Sequence, residues 1–331
     1  MTRRDWLFAM AAAPGAASVR RTGMGLATTS FLGSRRPKDT YDYLELCDKL
    51  GAGGIQSALS SLEPADLRRL RDRAERAGMY IEVMSGLPRT DVAQFERTVA
   101  AAKEVGALAI RTACLGGRRY ETFSTLADWK KFVADSKAAI ARAVPIVEKH
   151  RVPLAIENHK DWTLDEIIPL LRAYSSESVA ACLDTGNNIS MLDDPMELVE
   201  GMAPYAVSVH LKDMGVQRYE DGFLLSEVPL GEGYLDMPRI VATIQKARPK
   251  TRFSLEMMTR DPLKVPCLTD KYWETFPSRN GRFLARTLAA VERNSAPSLQ
   301  RVSHLSQVEQ WKADEENIDK CIRYAQERLR L

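Results

Sequence analysis

The chain has 331 residues, 27% of them charged, and a formal net charge of +3, the balance of an ordinary globular protein and not of a polycation for nucleic acid. No run reaches the roughly 18 apolar residues that cross a bilayer as a helix. Five cysteines (Cys47, Cys114, Cys182, Cys267 and Cys321) are odd in number and form no CxxC, so neither a disulfide framework nor a structural zinc site is expected.

Residues 1–19 differ in kind from the rest of the chain. Arg3 and Arg4 precede a short Ala-rich run ending in Ala16, Ala17 and Ser18. The pattern resembles a twin-arginine export signal, which implies a periplasmic or exported protein; without it the chain would be cytoplasmic.

From residue 20 apolar strand patterns alternate with amphipathic helix patterns. Strands are expected at 23–29, 53–59, 79–86, 107–114, 152–159, 179–186, 206–213 and 252–259. A helix pattern follows each. Residues 66–78 carry Leu67, Leu70 and Ala74 on one face and stop at a glycine, while 163–174 opens on Thr163 with Glu166 three residues later, a capping box. A second start lies at Asp236 with Pro238 in the first turn, and a long helix is expected over 126–150. Eight β/α units close well into a (β/α)8 TIM barrel over residues 20–295, an α/β fold. Residues 296–331 form a C-terminal helical extension, a surface helix begun by the Ser306 cap.

Side chains alternate along a strand. Leu154 and Ile156 share one face of the fifth strand, and Ala155, Glu157 and His159 share the other. The same split separates Leu183 from Asp184, Val209 from His210 and Lys212, and Leu255 from Glu256. Four successive strands thus aim Glu157, Asp184, His210 and Glu256 at the C-terminal mouth, where barrel active sites lie. Three carboxylates so close together repel, and a divalent cation removes the conflict. The donor set suits Mn²⁺ first, with Mg²⁺, Co²⁺ or Zn²⁺ as alternatives. His159 and Lys212, one step nearer the mouth, are candidates for proton transfer alongside the two glutamates. Arg111, Glu82 and Gln56 end other strands with inward parity and are candidate substrate contacts. So are Arg218, Arg260, Tyr272 and Trp273, the last three on the long segment 257–277.

The motifs IENH, CLDTGN, VHLKD, PLGEGYLD and SLEM, in this order, resemble the xylose isomerase-like TIM barrels of the sugar phosphate isomerase/epimerase type. The resemblance spans about residues 22–295. It implies that Glu157, Asp184, His210 and Glu256 bind one divalent metal, with the two glutamates as an acid/base pair. It implies an isomerase or epimerase that acts on a keto-sugar, polyol or sugar acid through a metal-stabilised enediolate. The runner-up is a lyase or decarboxylase of a 3-oxo sugar or sugar-acid derivative with the same metal site; a non-catalytic sugar-binding barrel comes last. Two departures stand out. Asn187 takes the place of a histidine of the ketose 3-epimerase branch, and Val216 that of an arginine, with Arg218 nearby. Four histidines are too few for the three-metal nuclease branch. The expected partner is a small carbohydrate, with no nucleic acid; a homo-oligomer stays open.

Overall fold

Eight parallel strands close on themselves in the computed structural model, which describes residues 21–31, 37–174 and 177–331. They are β1 (Gly25–Ala27), β2 (Gly54–Ser57), β3 (Tyr80–Met84), β4 (Ile110–Ala113), β5 (Leu154–Glu157), β6 (Val179–Asp184), β7 (Ala206–Leu211) and β10 (Arg252–Leu255). Each falls inside a run expected to be extended, and β10 pairs with β1 to complete a (β/α)8 TIM barrel. The signal-like segment lies outside the described residues.

The helices form where the local chemistry starts and stops them. Asp236 accepts from the Arg239 amide, Thr163 and Glu166 complete their capping box, and Gly78 ends its helix at φ +65°. Outward-facing Leu154, Ile156, Leu183, Val209 and Leu255 are fully buried beneath these helices. The barrel interior is filled differently. Gly25 and Gly54 leave room for the Tyr80 ring, since a Cβ on Gly54 would come within 2.4 Å of it. Ala109, Ala155 and Cys182 form a small apolar layer above.

Two features depart from the sequence expectation. First, β8 (Asp213–Tyr219) and β9 (Gly222–Val228) form an antiparallel hairpin directly after β7, and β11 (Leu263–Val265) adds a third strand from the segment after β10. Glu220 and Asp221 make the turn at its tip and Gly222 opens β9 at φ +153°, a turn that the eight-unit pattern absorbs into a loop. Second, the expected surface helix, Gln307–Tyr324, packs on the barrel in a place that sequence order would give to another segment. Its Asn317 donates to Thr259 above β10, and farther along the chain the Thr22 hydroxyl donates to Leu331 O below β1. It therefore runs antiparallel to the strands. Cys321 accepts from the Leu230 amide on one side, and Trp311 and Ile318 face Leu46 of the helix Thr40–Lys49 and Leu50 at its C-terminal end on the other. The helix occupies the eighth place in the outer ring, while Gly281–Arg293, the first long helix after β10, packs against the hairpin.

Candidate metal centre

Glu157 and Asp184 close β5 and β6, His210 is the penultimate residue of β7, and Glu256 follows β10. All four are buried at the C-terminal mouth, and one donor atom from each lies within 4.8 Å of the others. His210 Nδ1 stands 3.5 Å from Glu157 Oε1, 3.6 Å from Asp184 Oδ2 and 3.3 Å from Glu256 Oε2.

In Asp184, His210 and Glu256 one polar atom is held and another is aimed inward, while both oxygens of Glu157 have a donor. Arg111 grips Glu157 Oε2. The backbone amides of Gly186 and Asn187 donate to Asp184 Oδ1 at 2.9 and 2.8 Å. The Thr29 hydroxyl donates to Glu256 Oε1 at 2.8 Å. His210 Nε2 meets Gln56 Oε1 at 2.5 Å, and since the amide oxygen can only accept, Nε2 carries the hydrogen and Nδ1 the lone pair. The remaining Asp184 Oδ2, His210 Nδ1 and Glu256 Oε2 are buried without a hydrogen bond. Lys212 Nζ is 3.1 Å from Asp184 Oδ2 and 2.5 Å from Glu256 Oε2 but lies off the bonding direction. Buried polar atoms left this way are costly, and three carboxylate oxygens with one imidazole nitrogen match a hard to borderline divalent cation. The residues fit such an ion. Burial works to raise the Glu157 pKa, yet the charge of Arg111 holds it well below the usual carboxylate range.

Several candidate contacts are placed elsewhere than the sequence suggested. Gln56 and Glu82 are fully buried one layer below the quartet. Gln56 donates to Glu82 Oε2 at 2.8 Å, and that oxygen also accepts from Ser208 and Ser254. Both are spent on orienting His210, which corrects the expectation that they touch substrate. Burial pushes the Glu82 carboxyl above its ordinary range. Arg111 is paired with Glu157 through Nε and Nη2. Arg218 is exposed near the hairpin tip, away from the quartet. Tyr272 is buried, donates to Ser190 O and packs on Phe276, while Trp273 donates to Cys267 O; both fasten their segment in place. His159 Nδ1 contacts Leu115 O at 2.9 Å, and burial lowers its pKa to about 4, so the ring is neutral at pH 7. Lys212 does reach the quartet, and Arg260 lies at the mouth paired with Glu227 of β9 at 2.7 Å.

The sequence pattern does not single out Thr29, Glu227 or Lys160. Thr29 shares the inward parity of Gly25 and Ala27, a signal that was available. Glu227 needed the hairpin to be seen. Asn187 follows the Asp184 turn and donates to Glu157 Oε1 at 3.1 Å.

Replacing Gln56 by Leu removes the group that fixes the His210 tautomer. Mn²⁺ affinity should fall about 10- to 100-fold, the usual effect of losing such a partner. Calorimetric titration checks this, and an unchanged affinity would show that the imidazole needs no such guide.

The model for the xylose isomerase-like TIM barrel matches residues 41–274. A curated protein of Pectobacterium atrosepticum, 3-oxo-isoapionate decarboxylase, is 29% identical over 233 residues, 67% of this chain and 80% of its own. Among solved structures, an L-ribulose 3-epimerase superposes with a TM-score of 0.56 at 16% identity, covering 92% of this chain and 95% of that one. A xylose isomerase-like TIM barrel protein from Mycobacterium smegmatis, in complex with magnesium, gives 0.54 at 16% identity, with 81% and 98% covered.

Proposed function

The chain belongs to the xylose isomerase-like TIM barrel family, and from that premise we propose that it is a divalent-metal-dependent lyase that decarboxylates a 3-oxo sugar acid. The observation that carries this reading is the Arg111–Glu157 pair. Epimerisation needs acid/base groups on both faces of the reacting carbon, one to remove a proton and one to return it. Here Arg111 and Asn187 occupy Glu157, and the position where ketose 3-epimerases carry a histidine holds Asn187. Only Glu256, held by a single neutral hydroxyl and facing Lys212, keeps an oxygen for proton transfer. One such group serves a reaction in which carbon dioxide leaves and one proton is taken up. The 29% identity to a 3-oxo-isoapionate decarboxylase supports the same class.

Glu157, Asp184, His210 and Glu256 would hold the metal, Mn²⁺ being the first to try; when bound, it supplies Lewis acidity toward neighbouring substrate oxygens. Thr29 and Gln56 fix the directions of Glu256 and His210. Breaking the bond to the carboxyl carbon leaves an electron pair that spreads toward the ketone oxygen. The Lys212–Glu256 pair then delivers the proton to the carbon.

A second reading, sugar isomerase or epimerase, draws on the retained pair of glutamates. A panel of 3-oxo sugar acids and keto-sugars, offered to the Mn²⁺-loaded protein, separates the two. Release of carbon dioxide, abolished by chelation and restored by Mn²⁺, is expected. Isomer interconversion alone would overturn the lyase reading, and failure to take up any divalent ion would overturn both.

A further inference from the structure

Lys160 is the residue at the mouth that the metal chemistry leaves without a task. It is 3% exposed, and its backbone sits at φ +52°, in the left-handed region that a lysine rarely adopts. The conformation is imposed from both sides. Asp161 Oδ1 accepts from the amides of His159 and Trp162 at 3.0 and 2.8 Å, and Oδ2 accepts from Leu115 at 3.2 Å. The carbonyl of Lys160 accepts from the Arg119 amide at 3.0 Å. Strain held so firmly is a sign of function.

What the turn achieves is to bring the Lys160 ammonium onto Asn187 Oδ1, the oxygen that Lys212 Nζ approaches at 3.2 Å. Two buried ammonium groups therefore share one neutral acceptor. Lys212 has Asp184 and Glu256 beside it, but among the described residues no carboxylate lies within 4.0 Å of Lys160 Nζ. Burial and then the Lys212 charge lower the Lys160 pKa to about 8, which is the cost of this placement. The charge count points the same way. Glu157, Asp184, Glu227 and Glu256 face Arg111, Lys160, Lys212 and Arg260, so a divalent ion leaves the mouth with surplus positive charge. Glu82 lies a layer below, and Asp161 is turned toward the amides of His159, Trp162 and Leu115.

We propose that Lys160, with Lys212 beside it, is the seat of a substrate carboxylate, so that the site selects sugar acids over neutral sugars. The proposal rests on the metal-dependent reading above and adds the residue that recognises the acid. A carboxylate there gives Lys160 the charged acceptor it lacks and separates the two ammonium groups electrostatically.

The test is calorimetric binding of D-gluconate and of its neutral counterpart, sorbitol, to the Mn²⁺-loaded protein, for the natural chain and for Lys160→Met and Lys160→Gly. The natural chain should prefer gluconate. Both variants should bind gluconate about tenfold more weakly or worse, as expected for loss of one charged hydrogen bond, with sorbitol binding and Mn²⁺ uptake unchanged. Lys160→Gly relieves the left-handed backbone and guards against misfolding as the cause, because its thermal midpoint should not fall. If Mn²⁺ is taken up and the variants keep the gluconate preference, the seat is wrong and the metal reading stands. If the natural chain takes up no Mn²⁺, both fall together.

Discussion

Glu256→Gln is expected to lower kcat by about 10²- to 10⁴-fold at saturating Mn²⁺, the range spanned by loss of a general acid or base. The substitution is nearly isosteric. The Thr29 hydroxyl can still donate to the amide oxygen, and Glu157, Asp184 and His210 remain to hold the ion. What disappears is the oxygen 2.5 Å from Lys212, and with it the pair through which a proton reaches the substrate. The parallel change Glu157→Gln should behave differently. It leaves the guanidinium of Arg111 buried without its partner, so it should cost stability as well as turnover. Measuring kcat, bound Mn²⁺ and the unfolding midpoint for both variants separates the roles. Equal losses of turnover and of midpoint would remove the distinction between a proton-transfer glutamate and an anchored one.

Ile318→Ala should destabilise the fold by about 2–5 kcal/mol, the usual cost of truncating a fully buried aliphatic side chain. A residue on a peripheral surface helix would cost within about 0.5 kcal/mol. Ile318 is 1% exposed and belongs to the main hydrophobic core, on the helix that takes the eighth position around the barrel. Urea unfolding with a fixed slope gives the number directly. A cost below about 1 kcal/mol would return that helix to the periphery.

The barrel was legible because its signals are local. Parity along short strands and caps at helix starts are written within a few residues, and they placed the four candidate ligands on the inward face near the strand ends. The surroundings of those ligands were less legible, for a physical reason. Whether an inward polar residue meets substrate or another side chain depends on the layer it occupies, and parity carries no depth. Gln56 and Glu82 have the right face but lie one layer down, where His210, Ser208 and Ser254 consume their hydrogen bonds. Arg111 was likewise expected to meet substrate and instead meets Glu157. Lys160 escaped because a strand ending in Glu157 gives no hint that the next turn reverses the chain through a left-handed residue. The ring position of the helix Gln307–Tyr324 was hidden because the segment directly after β10 competes for the same place in sequence order.

The hairpin β8–β9 has a consequence for how such a site changes over time. It rises from the residue next to Lys212 and delivers Glu227 to the mouth, where Arg260 meets it from the segment after β10. None of the four candidate metal ligands lies on it. Mutations in the hairpin can therefore reshape the rim while the machinery beneath is inherited intact. A lineage could explore new substrates by exchanging this one ribbon, in the way a tool changes its bit and keeps its motor.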